Sequence, residues 1–259
     1  GARVYELLEE HVDSDEPVTM ADLKDMQRDT HSLAAEGFTP LILNATDEMP
    51  QRAAALVEDV DLASWDYEMV PDSEAALVYR RWIEHYRTLT FRDEYDANGL
   101  DEGYYPRTWV LQQLPADSPW FDDERTSRVE TRDDIVARAM NETVTELDRE
   151  GWETYGDYHH TDLDHPFPVS FLDYPEKPIG GSPFTLSNYR VSGGTDVGSS
   201  WRMVAGPQAA VGIVPGGNSG RYFSPHYADQ LERWRTGQYR PVAFEVGGGT
   251  DIEFTEEGS

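Results

Sequence analysis

The sequence contains no cysteine and almost no lysine. Without cysteine the chain has no disulfide, no thiolate metal site and no cysteine nucleophile. Lys24 and Lys177 are the two lysines, so arginine supplies nearly all of the positive charge. The 21 basic residues face 50 acidic ones, and the formal charge is -29. The sequence shows no basic stripe that would displace phosphate counterions, which argues against nucleic acid as a partner.

The sequence also lacks a long apolar run. No segment approaches the ~20 apolar residues that a membrane-spanning helix needs, and no signal peptide opens the chain. These observations predict a soluble protein without a membrane span and leave the compartment open between the cytoplasm and the outside of the cell. The chain starts at Gly1 without methionine, which indicates a processed product or a piece of a longer sequence.

The acidic excess indicates a surface adapted to high salt. At low ionic strength a charge of -29 destabilises a compact chain through self-repulsion. In molar salt the Debye length falls to about 3 Å, and the repulsion is screened. A salt-adapted source, of the haloarchaeal kind, is the simplest interpretation, and the acidic residues then need no ligand to account for them.

The first 150 residues show mainly helical patterns. A capping-box pattern at Thr19 predicts a helix that continues past Ala34 and ends at Gly37 and Pro40. Further helices are predicted after Pro50, after Ser73, and from Thr131 to Gly151. In the helix after Ser73, four residues are spaced to face the core: Val78, Trp82, Tyr86 and Leu89.

Composition changes near Gly151, where glycine, proline, histidine and aromatic residues replace the helical periodicity. Short strands are predicted at 184–186, 201–205 and 209–214. One late helix is predicted to be capped by Ser224, to begin at Pro225 and to end at Gly237. The sequence thus predicts an α+β fold in which a mainly helical segment at 1–150 and a β-rich segment with a late helix at 151–246 form one domain. An acidic, glycine-rich tail follows at 247–259.

One short segment is rich in potential metal ligands. It contains five of them within seven residues: His159, His160, Asp162, Asp164 and His165. Imidazole and carboxylate groups suit zinc or another divalent ion. However, the spacing matches no established ligand pattern, and aspartates are abundant throughout the chain. The alternative is a loop in which histidines cap backbone groups, and we therefore assign no metal to the segment.

The segment around Ser219 suggests two functional interpretations, a catalytic triad and an anion-binding loop. Ser219, His226 and Asp229 lie close in sequence, but a catalytic triad requires a geometry that sequence proximity does not supply. The residues around Ser219 also lack the Gly-x-Ser-x-Gly pattern of a nucleophile elbow. The loop 215–220 could bind an anion with its amides, but no Lys-Ser/Thr pair follows. A tight turn is the favoured interpretation.

A longer pattern includes this segment and points to a known family. Its residues are Gly216, Gly217, Asn218, Ser219, Gly220, Ser224, Pro225, His226, Tyr227, Ala228, Asp229 and Gln230, followed by Trp234, Gly237, Tyr239 and Pro241. The pattern closely resembles the C-terminal signature of the penicillin acylase family. The strand with Arg202, the stretch from Gly156 to Pro166 and the helix at 20–29 are similar to earlier parts of that family, in the same order.

The resemblance carries expectations about fold and activity. Members of the family are N-terminal-nucleophile hydrolases that cleave linear amides, including penicillins and acyl-homoserine lactones, so the late strands would close an αββα sandwich. In such enzymes a serine freed by self-cleavage uses its own α-amino group as base, and an asparagine with backbone amides stabilises the oxyanion. By this resemblance the chain begins after both residues. Arg3 is similar to a family active-site arginine and is the supporting catalytic residue that the resemblance gives here.

The resemblance also implies partners. The chain would be the C-terminal half of a β subunit, would need the α subunit and the N-terminal part of the β subunit, and would be inactive alone on a small amide substrate. No cofactor would be required, although the complete enzyme could bind calcium through ligands outside this chain. The alternative, from another functional class, is a non-catalytic binding or interaction module derived from the same family.

Overall fold

The computed structural model describes residues 1–14, 17–165, 167, 169–192 and 195–242, and these contain nine α-helices and five short strands. The helices are α1 (Ala2–Ser14), α2 (Met20–Arg28), α3 (Leu33–Asn44), α4 (Gln51–Asp59), α5 (Glu74–Ala97), α6 (Thr108–Gln113), α7 (Arg132–Glu150), α8 (Tyr155–Tyr158) and α9 (Leu231–Arg235). The strands are β1 (Tyr189–Ser192), β2 (Thr195–Gly198), β3 (Arg202–Ala205), β4 (Ala210–Ile213) and β5 (Arg240–Val242). Helices with small antiparallel sheets confirm the predicted α+β class.

The described chain divides into two units. The first comprises Gly1–Glu10 and Arg28–Gly198, and the second comprises His11–Gln27 together with the residues from Ser199 onward. The change of composition near Gly151 falls inside the first unit. The predicted acidic tail at 247–259 lies outside the described residues.

The first unit is built on α5 and its packing against α7. The Ser73 hydroxyl caps α5 by accepting a hydrogen bond from the amide of Ala76 at 3.1 Å. Trp82 is fully buried, and its indole N–H donates to the backbone oxygen of Val136 in α7 at 3.2 Å. The four residues predicted to face the core of α5 are all buried, which confirms that prediction. None of the described helices combines the length and the apolar content needed to cross a membrane.

Helix α7 begins and ends where the sequence predicts, at Thr131 and Gly151. The amide of Asp134 donates to the Thr131 hydroxyl at 3.3 Å, and the amide of Thr131 donates to the Asp134 carboxylate at 2.9 Å. This reciprocal capping box satisfies donors that the first turn leaves unpaired. Gly151 ends the helix with φ of 71°, a left-handed conformation that favours glycine. The short helix predicted after Pro50 is α4.

The single helix predicted from Thr19 is wrong beyond its first two turns. The chain leaves α2 after Arg28, and α3 begins only after Ser32, whose hydroxyl accepts from the amide of Ala35 at 3.1 Å. Between the helices, the backbone of residues 30–32 pairs with that of residues 67–69. Because this long-range pairing takes the backbone groups that a continuous helix would use, the helix is interrupted there. The helix stop predicted at Gly37 and Pro40 is wrong as well, since both residues lie inside α3.

The second unit contains a three-stranded antiparallel sheet in the order β3-β4-β5. The predicted strands at 201–205 and 209–214 are confirmed as β3 and β4, whereas the prediction missed β1, β2 and β5. Gly212 in β4 leaves room for the Trp201 ring, because a Cβ at this position would lie 2.6 Å from that ring. The strand predicted at 184–186 is wrong: this segment belongs to the first unit and forms turns, with Thr185 bonded to Ser182.

The late helix is shorter than predicted. It begins at Leu231, not at Pro225, and its C-terminal end at Gly237 is confirmed by a φ of 69°. The Ser224 hydroxyl accepts from the amide of His226 at 3.1 Å, which forms a local turn and not a helix cap. Leu231 and Trp234 face the core as expected.

Candidate functional site

Hydrogen bonds join the two halves of the signature segment, residues 216–230 of the second unit. The amide of Gln230 donates to the carbonyl of Gly216 at 2.8 Å, and the amide of Ser219 donates to the carbonyl of His226 at 3.1 Å. The side-chain amide of Gln230 donates to the Asn218 side-chain oxygen at 2.9 Å. These bonds join the two halves of the signature, so its residues hold a loop in one conformation.

Gly217 lies where the two halves come closest. A Cβ added there would be 2.1 Å from the His226 carbonyl oxygen and 2.7 Å from that of Tyr227, so only glycine fits. Tyr227 is buried, with its ring 5.5 Å from that of Tyr222. By contrast, a Cβ at Gly220 would meet no atom within 4 Å. Packing therefore accounts for Gly217 and Tyr227, and the structure gives no reason for Gly220.

The structure brings together only part of the Ser219, His226 and Asp229 group. His226 Nδ1 lies 3.1 Å from the Asp229 carboxylate, and this imidazole is exposed. The Ser219 hydroxyl instead accepts a hydrogen bond from the amide of Arg221 at 3.2 Å. A nucleophile needs its hydroxyl proton directed at the base, and the described hydrogen bonds of Ser219 serve the backbone instead. The bonds of Ser219, His226 and Asp229 therefore stabilise the loop.

Arg202 is a buried cation in β3. Its Nη1 donates to the Trp234 carbonyl at 2.8 Å and its Nε to the Ser199 hydroxyl at 2.7 Å. The guanidinium also lies 4.8 Å from the centre of the Trp234 ring, within range of a cation–π interaction. Burial lowers the pKa of Arg202. These contacts satisfy the Trp234 carbonyl in the last turn of α9, so Arg202 links β3 to α9.

The histidine-rich segment lies in the first unit, and His159 is its most buried member. Its Nδ1 is 2.7 Å from the Ile179 carbonyl oxygen, its Nε2 is 3.1 Å from that of Tyr189, and its ring stacks on Tyr155. Burial is the main cause that lowers the pKa of His159 to about 4. At neutral pH the ring is therefore uncharged, and it donates to one of these two carbonyl oxygens.

The other candidates of the segment have separate surroundings. His160 lies 3.5 Å from the Glu176 carboxylate, the Asp162 amide donates to the Tyr189 hydroxyl, the His165 amide donates to Asp173, and Asp164 is exposed. In the part of the chain that the structure describes, no three His, Asp or Glu side chains are arranged to hold a metal ion. Those residues offer no set of calcium ligands either.

Arg3 is held in place by a carboxylate from another part of the first unit. Its Nη2 donates to Asp29 Oδ2 at 2.7 Å, and its Nε lies 3.1 Å from the same oxygen. A weaker contact to Glu6 measures 3.4 Å. The hydrogen bond to Asp29 raises the pKa of Arg3, so the guanidinium stays charged. Asp29 is itself fixed, because its carbonyl accepts from the amide of Ser187 at 2.9 Å.

The sequence did not reveal the acidic pair Asp93 and Glu94 in the last turns of α5. Burial and the neighbouring Asp93 raise the pKa of Glu94 to about 7. Asp93 is buried and accepts from the amide of Glu124 at 2.8 Å. Asp123, in the same loop, is paired with Arg125 at 2.7 Å. Adjacent acids are common in this sequence, so only the fold distinguishes this pair from exposed ones.

Comparisons with known proteins identify a family that this chain matches. A sequence model of the family described as penicillin amidase matches residues 1–247. The acyl-homoserine lactone acylase QuiP of Pseudomonas syringae pv. syringae (strain B728a) is 24% identical over 243 residues, which is 80% of this chain and 29% of that protein. The QuiP protein of Pseudomonas aeruginosa (strain PAO1) is 26% identical over 254 residues, 81% of this chain and 29% of that protein.

The comparison with solved structures gives one further alignment. The thermostable penicillin G acylase from Alcaligenes faecalis aligns with a TM-score of 0.48 and 14% sequence identity. The alignment covers 99% of this chain and 53% of that one. The chain thus spans less than a third of the length of the curated relatives and about half of this solved chain.

Replacing His159 with Gln should flatten the pH dependence of stability. The folded pKa of about 4 lies below the unfolded value of 6.5, so the stability contribution is complete above pH 6.5 and is lost toward pH 4. The loss should amount to roughly 3 kcal/mol. Urea unfolding at fixed salt from pH 4 to 7 measures it. The exposed His226→Gln variant should keep the wild-type slope, and equal slopes for His159→Gln and wild type would contradict the assignment.

Arg3 and Asp29 should show a measurable coupling in a double-mutant cycle. Arg3→Gln and Asp29→Asn should each lower the free energy of unfolding, with a coupling of about 1–2 kcal/mol, because the pair is partly shielded from water. The exposed pair Arg52 and Asp148 provides the control, with an expected coupling below about 0.5 kcal/mol. Equal couplings for the two pairs would show that Asp29 does not fix Arg3.

Arg202→Met should destabilise the protein by about 2 kcal/mol, because the Trp234 carbonyl loses a charged donor inside the second unit. The exposed Arg221→Met variant should change the free energy of unfolding by less than about 0.5 kcal/mol. Chemical denaturation followed by tryptophan fluorescence measures both. Wild-type stability of Arg202→Met would mean that the guanidinium does not fasten β3 to α9.

Proposed function

This chain belongs to the penicillin amidase family, and on that premise we propose that it is the C-terminal portion of the β subunit of an amide hydrolase. Its role is to form the scaffold around a nucleophilic serine that another polypeptide carries. The substrate class is a small molecule with a linear amide bond, such as a penicillin or an acyl-homoserine lactone. The description of the matching family and the names of the curated relatives support that class.

The observation that carries the proposal is the structural use of the signature residues. Ser219 and His226 bond to backbone groups of the same loop, and Arg202 fastens a strand to a helix. A serine in the interior of a chain also has no free α-amino group to act as its base, as the family chemistry requires. The signature therefore supports a role in folding, and the nucleophile is proposed to lie on another polypeptide.

Within this proposal Arg3 is the residue of the chain nearest to the chemistry. The bond to Asp29 keeps its guanidinium charged and oriented, which suits a group that supports an oxyanion asparagine. The proposed partners are the α subunit and the N-terminal part of the β subunit. The proposed setting is a high-salt organism, where the charge of -29 is screened.

Reconstitution tests the proposal. The upstream polypeptides and this chain are purified separately and mixed in molar KCl, and hydrolysis of phenylacetyl and long-acyl amides is measured. Activity is expected only for the complex, and Ser219→Ala should leave its kcat/KM within about twofold, which is less than 0.5 kcal/mol. Cleavage by the isolated chain, or loss of activity in Ser219→Ala, would refute the scaffold role. A folded complex without activity would favour the binding module.

A further inference from the structure

The acidic pair Asp93 and Glu94 lies between the last turns of α5 and the loop that precedes α7. Asp93 is 5% exposed, and its Oδ2 accepts a hydrogen bond from the amide of Glu124 at 2.8 Å. The Oε2 atom of Glu94 is also buried, and no described group donates a hydrogen bond to it. A charged carboxylate oxygen is costly to bury without a donor, whereas a protonated carboxyl group can donate to its neighbour. The geometry therefore favours a proton on Glu94 that is directed at Asp93.

The charged groups around the acidic pair do not neutralise it. Glu124 adds a further negative charge from the loop. Arg125 interacts with Asp93 from the same loop, but its Nε donates to Asp123 at 2.7 Å. None of the described basic side chains lies within ion-pair distance of either carboxylate of the pair. The other titratable groups near this end of α5 are Arg87, Arg92 and Asp96 on the helix, Glu102 and Tyr105 after it, Asp122 and Glu130 in the loop, and Arg138 on α7.

The loop of residues 122–130 is closed on itself and bonded to α5. The amide of Asp123 donates to the Glu130 carboxylate at 3.1 Å, which joins the two ends of the loop. The bond from the Glu124 amide to Asp93 connects this closed loop to the helix. The acceptor in that bond is the carboxylate next to Glu94, so the attachment of the loop is sensitive to the charge of the pair.

We propose that the acidic pair is a proton-dependent switch that keeps loop 122–130 on α5 while the pair holds one proton and releases the loop when the proton is lost. With the proton in place, Glu94 donates to Asp93, and the pair carries one negative charge, which the Glu124 amide meets. Without it, the two adjacent carboxylates repel each other where water is largely excluded. Hydration of the Glu94 carboxylate then requires the loop to leave α5. The switch uses no residue of the proposed catalytic machinery.

The direction of the pH dependence follows from the surroundings of Glu94. Burial and the adjacent Asp93 raise the pKa of Glu94 to about 7, above its ordinary value of 4.5. The proton therefore contributes fully to the closed loop below pH 4.5, and this contribution is lost as the pH rises through 7. Because the pair is partly buried, salt screens its repulsion less than it screens the repulsion of exposed charges. The switch should thus operate in molar KCl.

Hydrogen exchange of the loop amides, followed by mass spectrometry on the whole chain in molar KCl, tests the switch. After correction for the intrinsic exchange rate, the protection of residues 122–130 in wild type should fall about tenfold from pH 5.5 to pH 8. Glu94→Gln carries a neutral amide that can donate to Asp93 at every pH, so its protection should stay within about twofold. The matched control is Glu58→Gln, at an exposed glutamate beside Asp59 in the last turn of α4, and it should keep the wild-type fall.

A second variant keeps the test valid if Glu94→Gln does not fold. In Asp93→Asn the side-chain oxygen can still accept from the Glu124 amide, and the side-chain NH₂ can donate to a charged Glu94, so the profile should also be flat. Far-UV circular dichroism identifies the folded variants. Wild-type protection that does not depend on pH, a wild-type fall in the folded variants, or a flat control would overturn the inference. So would a parallel fall for the amides of α7, because that would be unfolding of the unit and not opening of the loop.

Discussion

The backbone pairing between residues 30–32 and 67–69 organises the first unit. The amide of Met69 donates to the Thr30 carbonyl and the amide of Ser32 donates to the Tyr67 carbonyl, each at 3.0 Å. The Met69 carbonyl in turn accepts from the amide of Gly181 at 2.8 Å. Tyr67 has φ of 64°, which is costly for a bulky residue and persists only where surrounding contacts hold it. Three distant chain segments therefore meet at one extended strip of backbone.

This strip explains where Arg3 finds its partner. Because the chain leaves helical geometry after Arg28, Asp29 lies at the edge of the strip and not on a helix face. Its carboxylate then reaches Arg3, which is 26 positions away in sequence. The amide of Ser187 holds the Asp29 backbone from the other side. The orientation of the guanidinium thus depends on contacts that are distant in sequence, and it follows from the fold as a whole.

The sequence predicted those elements whose limits are set by local chemistry. Thr131, Ser73 and Gly151 mark helix ends through bonds to residues within a turn or through a φ that only glycine adopts readily. It failed where distant contacts overrule local preference. Pro40 lies inside α3, and Pro225 begins no helix. The strands β1, β2 and β5 were missed for the same reason, because their residues gain strand geometry from pairing.

The same difference between local and distant contacts applies to the candidate site. The signature residues from Gly217 to Gln230 were recognisable by sequence, but their bonding partners and burial were not. The link between Arg3 and Asp29 and the raised pKa of Glu94 have no local pattern that would reveal them. Residue type and spacing predicted which family the chain resembles. The structural role of each residue is defined only by its contacts in three dimensions.

The tight fit at Gly217 has a consequence for tracing this family through genomes. Because a Cβ there would lie 2.1 Å from a carbonyl oxygen, a sequence that keeps this loop needs this glycine, whether or not the protein turns over substrate. A search seeded with the signature will therefore gather working amidases and degenerate copies alike. Glycine at this position therefore reports that the loop is kept, and it carries no information about catalysis.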